Sequence, residues 1–244
     1  MKAAPEAQRR LLDLQAIDTA LTQLAHRRRT LPELAEIDTI AREISALEAE
    51  RVRAQVAVDD LDRDIARLEK DSDQVRTRKD RDKARLDAGG ALREIEGLQH
   101  EMATLNRRQT ELEDAELELM EQRETADQAL DGVRARIAEA TDRRVAAERR
   151  RDEAYTQIDK DREFKSAARG PLAADLPADL VALYDKIRED SGLGAALVRA
   201  DRCGGCRIEL YGADLARVRN APADEVVRCE ECRRIMVRTA ESGL

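Results

Sequence analysis

The sequence contains no tryptophan, one phenylalanine, three tyrosines and two histidines among 244 residues. Aromatic rings supply much of the buried area of ordinary globular cores, so their near absence argues against a large compact core over most of the chain. No apolar run approaches the length needed to cross a bilayer, and no stretch reads as a secretory signal, so a cytoplasmic protein without a membrane partner is expected. A phosphate-binding loop is missing too: Gly192-x-Gly194 lacks the third glycine and the lysine that such loops use. No pairing of nucleophile and base is readable, so neither an enzyme nor a small-molecule substrate is expected. The formal charge of −8 argues against a protein that coats nucleic acid without specificity.

Charge and aliphatics are abundant. Charged residues make up 39% and hydrophobic residues 42%, the latter largely Ala, Leu, Ile and Val, which is the composition of long helices and coiled coil. Pro5-Glu6 can open a first helix, with Leu14, Ile17, Leu21 and Leu24 in steps of three and four. Thr30-Leu31-Pro32-Glu33 reads as a capping box that starts a second helix. From Ile37 to Leu86 an unbroken heptad seam runs through Ile40, Ile44, Leu47, Val58, Leu61, Ile65, Leu68 and Ser72, over about 75–85 Å of helix. Gly89-Gly90 supplies a stop, and a second seam follows from Ile95 to Ile158 through Leu98, Gln109, Leu112, Leu130 and Ile137. Two seams joined by a glycine turn predict an antiparallel hairpin in which Leu68 meets Leu112, Ile44 meets Ile137 and Ser72 faces Gln109. Arg51, Glu116 and Arg123 at seam positions are expected to weaken and bend it.

Gly170-Pro171 reads as the domain boundary, and Leu176 to Asp190 as a short helix with Leu180, Leu183, Tyr184 and Ile187 on one face. The expected organisation is a helical hairpin over 1–169 with its turn near 87–91, a linker and short helix over 170–192, and a small β module over 193–244. Ala195–Arg199, Arg207–Tyr211 and Ile235–Val237 read as its strands. Phe164, Tyr184 and Tyr211 are expected to form a small core near that module rather than a base-stacking surface.

The only cysteines form two C-x-x-C pairs, Cys203/Cys206 and Cys229/Cys232. Each pair sets two thiolates on one tight turn, and two turns complete a tetrahedral S4 site. Two disulfides, a single rubredoxin-like iron and a redox C-x-x-C are the competing readings. A reducing compartment disfavours the first, zinc is favoured over the second, and no thioredoxin-like pattern accompanies the third. Four thiolates leave no open position, so the expected cofactor is structural Zn2+ and the expected fold a zinc ribbon. Gly204 and Gly205 are expected to relieve the first knuckle, where a positive φ is often needed. His26 and His100 read as ordinary helical side chains.

Two basic stretches are candidates for nucleic-acid or partner contacts. The ribbon carries Arg199, Arg202, Arg207, Arg217, Arg219, Arg228, Arg233, Arg234 and Arg238 against seven acids. The hairpin tip carries Arg76, Arg78, Lys79, Arg81, Lys83 and Arg85, for which a solvated face is the plainer reading. The acidic run Glu111–Glu121 also reads as a solvated face.

The whole chain resembles a bacterial family, the C4-type zinc-ribbon proteins with a long N-terminal coiled-coil hairpin. The resemblance is carried by Leu176-Pro177, Leu180, Leu183-Tyr184, Ile187-Arg188, Gly194-Ala195-Ala196 and Cys203-Gly204-Gly205-Cys206, then by Val227-Arg228-Cys229, Cys232 and Arg234-Ile235. Asp80-Arg81-Asp82, Gln99-His100-Glu101 and the run from Leu112 to Glu118 look like the actinobacterial branch. The resemblance implies zinc on the four cysteines. It also implies a non-enzymatic adaptor or chaperone role, as in relatives that serve flagellar or type III secretion assembly, with nucleic-acid binding proposed. Arg233 stands where the family usually has glycine, so a strained or reshaped second knuckle is expected. The expectation is a mainly α protein, a coiled-coil hairpin with a small C-terminal β zinc ribbon. It would bind RNA, DNA or a protein; the alternatives are a purely structural scaffold with an inert ribbon and a zinc-dependent hydrolase.

Overall fold

The computed structural model describes residues 1–243; Leu244, the last residue of the expected ribbon module, lies outside the described residues. The chain orders as α1 (Pro5–Arg29), α2 (Pro32–Ala88), α3 (Leu92–Ala174), α4 (Ala178–Ser191), β1 (Ala195–Arg199), β2 (Arg202–Cys203), α5 (Gly212–Asn220), β3 (Val227–Arg228) and β4 (Ile235–Val237), with a closing 3-10 turn at Ala240–Ser242. It divides into two compact units. One joins Met1–Leu34 to Arg149–Leu244, and the other is Ala35–Glu148.

The second unit is the hairpin. Gly89 adopts φ 78° and its N–H closes on the Leu86 carbonyl at 3.1 Å, a left-handed stop that a side chain would strain. Ile40, Leu47 and Val58 are buried on α2, and Leu98, Leu112, Leu130, Val133 and Ala140 on α3, all at positions of the two heptad seams. Ile44 and Ile137 pack on the same cluster as Ile40, Leu47 and Ala140. Ion pairs rail the seam, including Arg143–Glu43 at 2.6 Å, Arg136–Glu50 at 3.1 Å and Arg123–Asp62 at 2.9 Å. Both helices continue without a break through Arg51, Glu116 and Arg123. Gln109 is engaged by Lys79 and Glu113, so it makes no hydrogen bond to Ser72.

The first unit has a real core around a four-stranded sheet of order β2-β1-β4-β3, with β1 and β4 parallel and both outer pairs antiparallel. Side chains alternate across β4: Ile235 and Val237 join Leu11, Leu14, Leu180, Tyr184 and Ile187 on one face. Met236 joins Val198, Val218, Cys203 and Cys229 on the other. The sheet is thus sandwiched between an α1/α4 layer and a layer containing the cysteines and α5. Ala200 and Asp201, both at positive φ, form the two-residue turn between β1 and β2.

Several expectations need correction. Residues 1–34 and 149–169, expected in the hairpin, fall in one compact unit with the C-terminal module: α1 supplies Leu11 and Leu14 to its core, and Ala3 N–H donates to the Asp224 carbonyl at 2.8 Å. Thr30 is no N-cap: its hydroxyl donates to the His26 carbonyl at 3.0 Å, α2 opens at Pro32, and no capping box forms. Gly170-Pro171 does not end α3. A proline forfeits one backbone bond in the final turn, and Leu172 and Ala173 recover apolar contact with the core. Residues 207–211 form no strand beyond a single bridge between Arg202 and Glu209. Of the three aromatics expected to share a core only Tyr184 does so; Phe164 and Tyr211 are 73% and 77% exposed.

Candidate metal centre and its surroundings

Each knuckle is built by the same backbone device. The Cys203 N–H donates to the Ile208 carbonyl at 3.1 Å, and the Arg207 N–H donates back to the Cys203 carbonyl at 2.7 Å. In the second knuckle the Cys229 N–H donates to the Arg234 carbonyl at 3.0 Å, and the Arg233 N–H to the Cys229 carbonyl at 2.9 Å. The residue after the second cysteine of each pair must turn left-handed to close this loop, and Arg207 and Arg233 both sit at φ 63°. A side chain at 233 therefore costs on the order of 1 kcal/mol but leaves the knuckle intact. The two glycines of the first knuckle do not have positive φ. Gly204 is needed for close approach: its N–H bonds the Leu197 carbonyl at 2.9 Å, and a Cβ there would lie 2.5 Å from that oxygen.

The four sulfurs lie within 4.8 Å of one another, with Cys203–Cys232 at 3.8 Å and Cys206–Cys229 at 3.9 Å. A zinc–thiolate tetrahedron with bonds of about 2.3 Å requires sulfur separations of about 3.8 Å. The donor set fits structural Zn2+, and four thiolates close the coordination sphere. Without metal, burial pushes the Cys203 thiol up and the Cys229 thiol to about 12. Burial also opposes the Cys232 thiolate, but the Arg234 N–H and the neighbouring thiols outweigh it and bring that thiol down. Zinc must therefore displace protons from the more buried pair.

The nine ribbon arginines do not form one free basic surface. Arg202 pairs with Glu209, Arg217 and Arg233 with Glu230, and Arg219 with Asp201. Arg228 donates to the Arg233 carbonyl. Arg234 reaches back to the Ser191 and Leu193 carbonyls, and Arg238 donates to the Val218, Ala221, Pro222 and Glu225 carbonyls, so both are braces of the fold. Only Arg199 and Arg207 have no hydrogen bond or ion pair through the side chain among the described residues. At the hairpin tip, Arg76 pairs with Asp73, Arg78 with Glu101 and Arg85 with Glu94, and Lys79 donates to Gln109; Arg81 and Lys83 have no such partners among the described residues.

Sequence reasoning missed the polar anchor of the first unit. Asp18, 2% exposed in its side chain, accepts from Arg169 Nε at 2.7 Å and from the Tyr184 hydroxyl at 2.8 Å, with Arg188 at 3.3 Å. Arg169 also pairs with Asp185 at 2.5 Å, and its pKa is raised, chiefly by the hydrogen bond to Asp18. Gln15 Oε1 accepts from the Gly194 and Ala195 amides, fixing the start of β1. Gln8, Gln15 and Asp18 recur at steps of seven and three, a polar stripe that periodicity alone could have flagged.

Geometry thus defines a class: a coiled-coil hairpin coupled in sequence to a closed four-cysteine ribbon. Residues 14–192 match the CT398-like coiled coil hairpin domain and residues 202–236 the C4-type zinc ribbon domain. The chain belongs to the CT398-like coiled-coil hairpin family. An uncharacterized protein of Mycobacterium tuberculosis is 40% identical over 246 residues, covering 98% of each chain. A solved structure from Mycobacterium smegmatis superposes with TM-score 0.89 at 35% identity, over 98% of this chain and 100% of that one. CT398 from Chlamydia trachomatis gives TM-score 0.68 at 19% identity over 96% and 98%, a likeness of fold. Among the described residues no helix is long and apolar enough to cross a membrane.

Proposed function

We propose that the protein is a non-enzymatic cytoplasmic adaptor that contacts a protein partner through the zinc-held first knuckle. The observation that carries this reading is Tyr211, 77% exposed, with Ile208, 44% exposed, on the segment leaving that knuckle. Exposed aromatic and aliphatic groups on a rigid support are the side chains that concentrate binding energy at protein interfaces. The closed thiolate set speaks against a hydrolytic zinc. Four free thiols gathered for metal suit a reducing compartment. Nucleic-acid binding is the second reading, favoured by the exposed Tyr211 ring, which could stack on a base, and by Arg207 on the same segment. It is the weaker one because seven of the nine ribbon arginines already have partners within the fold.

The test is a photo-crosslinking amino acid placed at position 211 in cells. A discrete adduct sensitive to protease and resistant to nuclease is the expected result. A nuclease-sensitive adduct would make the ribbon a nucleic-acid reader, and efficient photolysis without an adduct would leave an inert scaffold.

A further inference from the structure

The only phenylalanine of the chain is mostly in solvent. Phe164 rims a hollow of about 310 Å³ between α1 and α3, with Ala20, Gln23, Leu24, Arg27, Asp161 and Lys165. Leu24 also lines a second hollow of about 340 Å³, with Leu21, Ala25 and Ile158 on its floor and Arg28, Arg29 and Arg162 at its edge. The two hollows flank the α1/α3 contact, share only Leu24, and are lined by residues of the first unit. Their surroundings are basic: residues 20–29 and 155–166 contain Arg27, Arg28, Arg29, Lys160, Arg162 and Lys165 against Asp159, Asp161 and Glu163, an excess of three positive charges in a chain of net −8. Arg28 is held over the Tyr155 ring and near Asp159. Arg27 and Arg29 have no ion pair or side-chain hydrogen bond among the described residues, and Lys165 is committed only loosely to the Phe164 ring, at 6.0 Å.

From this geometry we infer that the hollow rimmed by Phe164 on the α1/α3 surface docks an acidic amphipathic helix of a protein partner, Phe164 and Leu24 taking its apolar residues and Arg27 and Lys165 its carboxylates. The inference rests on the adaptor reading and names the chemistry of a partner at a second surface. Charge complementarity selects the occupant: a basic rim around an aliphatic floor rejects a cationic helix. Ala20, Leu24 and the Phe164 ring offer apolar packing to a side chain, which favours a peptide over a nucleic acid.

A concrete probe is a fluorescent synthetic peptide with the sequence of residues 110–128. It places Leu117 and Met120 at helical spacing among Glu113, Glu116, Glu121 and Glu124. Full-length protein should bind it with an affinity that falls as salt rises. Arg27→Glu with Lys165→Glu, and separately Phe164→Ala, should each weaken binding by about tenfold or more, whereas Tyr211→Ala should leave it unchanged. All these positions are exposed or half-buried, so unchanged far-UV circular dichroism is expected and checks that the variants fold. No binding, or binding indifferent to the groove variants, overturns the inference. So does displacement of the peptide by oligouridine at the same residues, which would make the groove an RNA site. Sedimentation showing a dimer that these variants dissolve also overturns it, because the occupant would then be a second copy of this chain. A failed peptide with an intact protein adduct at position 211 removes the groove and leaves the adaptor reading standing.

Discussion

The two units hold themselves together by opposite means. In the unit formed by residues 1–34 and 149–244, apolar side chains fill both faces of a sheet, four cysteines gather for zinc, and one buried carboxylate anchors three side chains. In Ala35–Glu148 a thin seam is buried, and the cross-helix pairs that rail it are exposed to water. The charges divide the same way: the first unit carries a formal +2 and the second −10, by count of Asp, Glu, Lys and Arg. Cooperative, concentrated stabilisation should therefore fail by single substitutions in the first unit. Distributed stabilisation in the second should absorb them.

Removing the metal is the strongest way to break that contrast. Structural zinc supplies on the order of 10–16 kcal/mol in small modules. Cys203→Ser or Cys229→Ser should reduce zinc content, measured by mass spectrometry of the metal, from one atom per chain to none. The ribbon should lose its amide protection while helical ellipticity at 222 nm largely persists. Loss of most of that ellipticity would mean that the two units are not independent in stability.

Asp18→Ala comes next. It leaves Arg169 and Arg188 without their buried counter-charge and the Tyr184 hydroxyl without its acceptor. Breaking a buried network from one side costs about 3–5 kcal/mol, which urea unfolding followed in the first unit should detect. Gly204→Ala should cost about 1–3 kcal/mol, since its Cβ would stand 2.5 Å from the Leu197 carbonyl. The same measurement reads it.

What the sequence made legible follows this division as well. The hairpin was readable because Ile40, Leu47, Leu112 and Ala140 obey one period over many turns and Gly89-Gly90 interrupts it. The metal ligands were readable because only four cysteines exist and their spacing admits one tetrahedron. The assembly of the first unit was not. It depends on α1 meeting residues some 150–220 positions away, through Gln8 to Ala223 and Asp18 to Arg169, and no local period encodes such contacts. Arg234 and Arg238 looked like surface charge for the same reason: their partners are carbonyls, which are invisible in a list of side chains.

Smaller effects sharpen the comparison from both ends. Burial, then the hydrogen bond to Asp18, raises the Tyr184 pKa well above its ordinary value near 10. The neutral hydroxyl is favoured in the folded state, so its contribution is complete below the unfolded pKa and declines as pH rises above it. Stability of the first unit should therefore fall above about pH 10, and Tyr184→Phe should flatten that slope while lowering stability at pH 7 by about 1–3 kcal/mol through the unpaired Asp18 oxygen. A variant with the parent's alkaline slope would place the titration elsewhere. In the second unit, Arg136→Ala removes an exposed pair to Glu50 and should change stability by no more than about 1 kcal/mol. That small value is the informative one. A loss of several kcal/mol from a single exposed rail would show that the hairpin's ion pairs act as one cooperative network, and the contrast between concentrated and distributed stability would collapse.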